Sequence, residues 1–152
     1  MIERICIIVA LSCWAVLTAC GGSPAYSCDV DPQSMTARVS DLRGESVQWS
    51  PVLAAAAQAH ADDLARTGRA EHTGSDGSLP ADRAQRAGWP NRYVGENVAA
   101  GDPAKDQDTA HASWEASPGH RANLLYPGIT HVGAACSMGG RYGVTWVQVL
   151  GG

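Results

Sequence analysis

The order of segments in this chain predicts an α+β layered domain, and three observations carry that expectation. Four helical stretches carry their own start or stop signals, at residues 31–44, 50–68, 80–88 and from 108 onward. A brief strand at residues 93–99 and two more near the end have β-forming composition. Strands and helices do not alternate in regular βαβ units, so an all-parallel sheet is not expected. With 152 residues and 45% hydrophobic composition, one domain with one core fits the length.

The first twenty residues stand apart from that core. Arg4 precedes an apolar run over residues 5–19, too short for a transmembrane helix and suited to a secretory signal. Its end, Leu17-Thr18-Ala19-Cys20, resembles the lipobox of bacterial lipoproteins, in which the cysteine is lipidated and becomes the new N-terminus. The alternative is an ordinary signal peptide with a coincidental cysteine. On the lipobox reading, residues 1–19 are signal, 20–30 a lipidated N-terminus and tether beginning Gly21-Gly22-Ser23-Pro24, and 31–152 the domain. The protein is then expected outside the cytoplasm, held to the cell membrane by the lipid on Cys20.

The cysteines sort by compartment in the same way. Cys6 and Cys13 leave with the signal, Cys20 takes the lipid, and Cys28 and Cys136 remain as a pair that an oxidising compartment would join. Two free thiols are the alternative. The net charge of -4, with basic residues scattered, leaves no footprint for a nucleic-acid backbone.

Asp31-Pro32 opens the first helix, an N-cap type followed by proline, with Met35, Val39 and Leu42 at helical spacing and Gly44 as the stop. The next helix is the clearest: Ser50 caps it, Pro51 takes its first position, alanines fill it, and Thr67-Gly68 ends it. Leu53, Ala57, His60 and Leu64 share its inner face, so His60 is expected to be a satisfied core histidine. Gln58, Asp62, Asp63 and Arg66 look outward. A turn-rich stretch from 69 to 80 has His72 at its head, and a short helix over 80–87 stops at Gly88.

Residues 93–99 read as a strand and 101–107 as loop. Asp108 is the expected cap of a helix carrying Ala110 and Trp114, which Pro118-Gly119 ends. Two strands, 131–137 and 142–150, flank a Gly139-Gly140 turn signal. Trp49, Trp89, Trp114 and Trp146 are expected in the core of a chain without phenylalanine. His111 and His131 carry no strong signal.

Three motifs now stand in order: His72-Thr73, Gly95-Glu96-Asn97 and Trp114-x-x-Ser117-Pro118-Gly119-His120-Arg121-x-Asn123. Together with Trp49-Ser50-Pro51-x-Leu53, His131-Val132-Gly133 and Trp146-Val147-Gln148, they resemble the CAP superfamily of SCP/PR-1-like domains in its bacterial form. The resemblance covers about residues 35 to 150. It implies a three-layer α-β-α sandwich with a small, mostly antiparallel sheet and a cleft lined by His72 and Glu96. It also implies secretion, and roles spread over lipid or sterol binding, metal binding, signalling and occasional peptidase activity.

The chain departs from the fuller eukaryotic pattern of two histidines and two acids. The second acid would fall at Ser117, three residues after Trp114. Glu115 does not replace it, because two helical residues turn a side chain by roughly 200° while three bring it most of the way back. The second histidine would fall near Thr145, unless His120 enters the cleft from its own turn.

His72 and Glu96 are therefore the leading site pair, able to bind a divalent ion such as zinc or to hold each other's charge state. His120 is the third candidate, lining the cleft or making structural hydrogen bonds. Ser117 with His120 invites a nucleophile-base reading, but capping a turn that starts at Pro118 explains Ser117 as well, and no Gly-x-Ser-x-Gly elbow is present. Arg121 and Asn123 are expected to tie the turn to neighbouring loops.

Two functions of different class follow. One is a binding module whose cleft, with His72, Glu96, Ser117 and His120, takes a divalent cation or a small apolar or protein ligand. The other is an envelope peptidase or esterase with His72 or His120 as base and Glu96 as orienter. A purely structural surface protein is the third reading.

Overall fold

A computed structural model describes residues 26–90 and 92–152. The signal at 1–19, Cys20 and the start of the tether lie outside the described residues. In order, the elements are α1 (Pro32–Arg43), β1 (Gln48–Trp49), α2 (Pro51–Thr67), α3 (Pro80–Ala87), β2 (Val94–Ala100), α4 (Gln107–Ala116), α5 (Pro118–Leu124), β3 (His131–Gly139) and β4 (Gly143–Gly151), with one 3-10 turn at Asp102–Ala104.

The helix ends follow the local chemistry. The Asp31 carboxylate accepts from the backbone N–H of Gln33 at 2.9 Å and Ser34 at 3.3 Å, and Ser50 Oγ accepts from Leu53 N–H at 3.2 Å. Pro32 and Pro51 take the first positions, where no amide hydrogen is needed, and Gly44 and Gly68 close the helices in the left-handed conformation. Asp108 is not the cap of α4. Asp106 is, because its carboxylate accepts from Thr109 N–H at 2.8 Å while its own N–H donates to the Thr109 hydroxyl at 3.1 Å. Asp108 instead sits in the first turn, paired with Arg38 at 3.1 Å.

The sheet order is β1-β3-β4-β2, with β1 parallel to β3 and the other two pairings antiparallel. β1 has two residues, too short to show a period of its own, and the sequence did not reveal it. Period-two alternation splits the sheet between two cores. Trp146 and Leu150 of β4 pack with Met35, Val39, Ala110, Trp114 and Leu124 from α1, α4 and α5. Val147 and Val149 pack with Leu53, Ala57, Ala61 and Leu64 from α2 and with Ala84 from α3. The expected three-layer α-β-α arrangement is what forms, around two cores rather than one.

The alanine-rich helix matters for its closeness. A Cβ added at Gly133 of β3 would lie 2.2 Å from Ala54 N and 2.5 Å from Leu53 C, so α2 rests its backbone directly on the strand. Only glycine allows that contact. Trp114 and Trp146 are fully buried as expected, whereas Trp49 and Trp89 are only partly so.

Residues 26–30, assigned to the tether by composition, pack onto the domain. Tyr26, Cys28 and Val30 lie against the α1/α4 core, and Ser27 N–H donates to Lys105 O at 2.8 Å. Cys28 and Cys136 form a disulfide with Cα atoms 5.6 Å apart and a sequence separation of 108. Closing a loop that long contributes about 4 to 5 kcal/mol at most in the chain-entropy view. The arm is thereby fixed to β3.

Candidate functional site

Strand β2 carries Glu96 and Asn97 side by side, and alternation sends them to opposite faces of the sheet. Glu96 turns to the α2/α3 layer, where its side chain is 1% exposed. A buried carboxylate demands compensation. Arg83 of α3 provides it, donating from a terminal nitrogen to Glu96 Oε2 at 2.7 Å. His72 Nδ1 lies 3.0 Å from Oε1, and His60 Nε2 of α2 lies 3.6 Å from the same oxygen.

Arg83 also holds the loop that carries His72. It donates to His72 O at 3.0 Å and to Ser78 O at 2.8 Å, so one guanidinium fixes the backbone of the 69–80 stretch and the carboxylate together. Sequence reasoning missed this residue. Its short helix carries two arginines, Arg83 and Arg86, and nothing in the sequence says which of them points inward.

The hydrogen-bond partners set the histidine tautomers. Because the Glu96 carboxylate only accepts, His72 Nδ1 carries a proton, and Nε2 has no hydrogen-bond partner among the described residues. That bond to Glu96 holds the His72 pKa above the ordinary imidazole value. His60 Nε2 donates to Glu71 O at 2.9 Å. Burial pushes its pKa down, so the 3.6 Å approach to Glu96 is that of a neutral ring. His60 is a core histidine as expected, but it belongs to the Glu96 network and its Nδ1 lacks a partner among the described residues.

Asn97 organises the other layer. Its amide nitrogen donates to Gln148 Oε1 at 3.0 Å and its oxygen accepts from Asn123 Nδ2 at 3.0 Å. Asn123 Nδ2 also donates to the backbone oxygen of Glu96 at 3.0 Å. These bonds dock α5 on β2, where the His120 backbone oxygen lies 3.4 Å from Asn97 Nδ2. Burial first, and then the charge of His72, lowers the His120 pKa.

Thr145 does not reach this place. It is fully buried on β4, opposite Ala100 and Ser137, while Glu96 pairs four residues away with Val149. Ser117 occupies the N-cap position of α5, but its side chain makes no capping hydrogen bond and none to His120. No serine-histidine pair is assembled there. Asn123 ties the turn down as expected; Arg121 is exposed and its side chain makes no hydrogen bond among the described residues. Arg43 does the tying instead, donating to Leu124 O at 2.7 Å and Tyr126 O at 3.0 Å.

A divalent cation fits this donor set poorly. Among the described residues no group of three or more His, Cys, Asp or Glu side chains is arranged to hold a metal ion. Glu96 already faces a guanidinium and is not free to ligate an ion.

The family model for the Cysteine-rich secretory protein family, CAP, matches residues 41–150. The chain belongs to this family. The CAP domain is 30% identical over 87 residues to the uncharacterized protein YkwD of Bacillus subtilis strain 168, a match covering 57% of this chain and 33% of that one. It thus spans about a third of the length of the curated relative it matches. Among solved structures it resembles an extracellular protein containing a SCP domain from Bacillus anthracis str. Ames, with a TM-score of 0.67 and 26% identity over 78% of this chain and 39% of that one. An outer surface protein of Borrelia burgdorferi shares the fold, with a TM-score of 0.66 and 16% identity over 83% of this chain and 97% of that one.

The raised pKa of His72 in this CAP domain gives a stability signature with a definite sign. A histidine whose folded pKa exceeds its unfolded value stabilises the fold fully below the unfolded value, about 6.5, and the contribution is lost as pH rises through the folded value. Denaturant unfolding of wild type and His72→Gln is expected to show a larger stability difference at about pH 5.5 than at about pH 8.5. A difference that stays constant with pH would contradict the assigned His72–Glu96 bond.

Proposed function

We propose that this CAP domain is an extracytoplasmic binding module, lipid-anchored through Cys20, whose cleft at His72 and His120 receives an acceptor-rich polar group such as a carboxylate or carbonyl. The observation that carries the reading is the commitment of Glu96. Its carboxylate is buried between Arg83 and His72 and has no role left as a free base. What remains open to a ligand is His72, 53% exposed, with Nε2 unpartnered among the described residues and a pKa raised above the ordinary imidazole value by its bond to Glu96. A protonated imidazole at a cleft mouth attracts acceptors and repels cations.

Turnover has less support. A hydrolase of this type needs a nucleophile or an activated water beside a free base, and Ser117 and His120 form no such pair. An exported setting is supported by the likeness to the Bacillus anthracis SCP-domain protein, which is extracellular.

Nuclear magnetic resonance titration of the soluble domain with acetate and, separately, with Zn²⁺ tests the ligand class. Acetate is expected to move the His72 ring signals saturably, more weakly as pH rises through the His72 pKa, with the response absent in His72→Ala. Saturable one-to-one zinc binding that disappears in His72→Ala, with no acetate response, would replace this reading with the metal one.

The anchor has its own test. In the full-length protein expressed in a bacterial host, Cys20→Ala is expected to move the protein from the membrane fraction to the soluble exported fraction. Unchanged membrane association would remove the lipid from the account.

A further inference from the structure

Tyr93, just ahead of β2, and Tyr126, just after α5, stack face to face with ring centroids 3.7 Å apart and planes 3° from parallel. Ordinary aromatic pairs keep their centroids roughly 4.5 to 7 Å apart, offset or tilted. At 3.7 Å the two rings overlap almost completely. Whichever way each hydroxyl points around the stack, a carbon ortho to it lies against the partner ring. Among the described residues no other tyrosines stack on each other: Tyr26 donates its hydroxyl to Asp102 at 3.0 Å, and Tyr142 lies under the Arg141 guanidinium.

Both backbones are held around the pair. Tyr93 O accepts from Gly152 N–H at 3.3 Å, and Tyr126 O accepts from the buried Arg43 guanidinium at 3.0 Å. The Tyr93 ring is partly buried against the α1/α4 core, whereas Tyr126 is 43% exposed. An oxidant therefore reaches Tyr126 from solvent, and the contact between ring faces lets Tyr93 refill the vacancy left by the lost electron. The Cys28–Cys136 disulfide places the domain in an oxidising compartment.

We infer that Tyr93 and Tyr126 form an oxidative modification site, at which a one-electron oxidant of the peroxidase type joins them as an intramolecular dityrosine. Each phenol gives up one electron and its hydroxyl proton and becomes a phenoxyl radical. The unpaired electron is shared by the oxygen and by the ortho and para carbons, and the para carbon is already bonded to Cβ. The two radicals pair their electrons in a new bond between ortho carbons. Each joined carbon then passes its hydrogen to its own oxygen through solvent, which restores two phenols. The protein loses two electrons and two protons, and one hydrogen peroxide takes them up as two waters. The bond ties the residue ahead of β2 to the residue after α5, closing a covalent loop around β2, α4 and α5. It acts on the same packing that Asn97 and Asn123 hold by hydrogen bonds.

The inference does not rest on the His72 cleft. To test it, the full chain purified from a bacterial host is treated in dilute solution with a haem peroxidase and limiting hydrogen peroxide, and separately with a small one-electron photo-oxidant that needs no docking. Both are expected to give a monomer that shows dityrosine fluorescence, has lost the mass of two hydrogen atoms, and yields on digestion one cross-linked peptide joining residues 93 and 126. Tyr93→Phe and Tyr126→Phe are each expected to lose that product, while Tyr26→Phe and Tyr142→Phe keep it in full. Phenylalanine retains the ring and its packing and removes only the hydroxyl, so the loss reports the chemistry rather than the fold. No dityrosine in the monomer with either oxidant, dityrosine confined to covalent dimers, a cross-link through Tyr26 or Tyr142, or a product that survives Tyr93→Phe or Tyr126→Phe would each overturn it.

Discussion

A carboxylate has been placed where water cannot reach it, and much of the surrounding architecture answers that placement. Glu96 sits on β2 facing the α2/α3 layer with almost no exposure, and an isolated charge there would cost several kcal/mol. Arg83 and His72 offset that cost from two different segments. The helix α3, the loop that bears His72 and the strand β2 are therefore held in one relation by electrostatics as well as by packing. Removing Glu96 or Arg83 leaves the other's charge buried without its main partner.

The neighbouring residue does the corresponding work on the opposite face. Asn97 joins Gln148 of β4 to Asn123 of α5, and Gln148 in turn reaches Met35 Sδ of α1 at 3.2 Å. Two consecutive residues thus connect both helical layers to the same strand. The Trp114–Leu125 stretch, conspicuous in the sequence, contributes the anchor Trp114 and the position of His120. The chemical centre lies upstream of it, at Glu96.

Much of this was legible because local chemistry acts alone at helix ends. Asp31-Pro32, Ser50-Pro51, Gly44 and Gly68 marked their boundaries without help from the tertiary structure. The disulfide followed from sorting cysteines by compartment. Other features depend on distant partners. β1 exists because Gln48 and Trp49 meet His131 and Val132, and nothing in a two-residue strand announces that. Asp108 looks like a cap in the sequence, but the reciprocal bonds with Thr109 make Asp106 the cap. Arg83 reads as one more surface arginine until Glu96 is known to be buried beside it.

The central claim is that Glu96 is a committed structural charge whose main partner is Arg83. A double-mutant cycle on stability addresses it most directly, using Arg83→Met, Glu96→Gln and the combined variant in denaturant unfolding. Each single variant is expected to lose about 3 to 5 kcal/mol, because it strands the remaining member of a buried pair. The double variant is expected to lose less than the sum of the two, with a coupling of about 2 kcal/mol or more. Additive losses, or single variants as stable as the wild type, would contradict it.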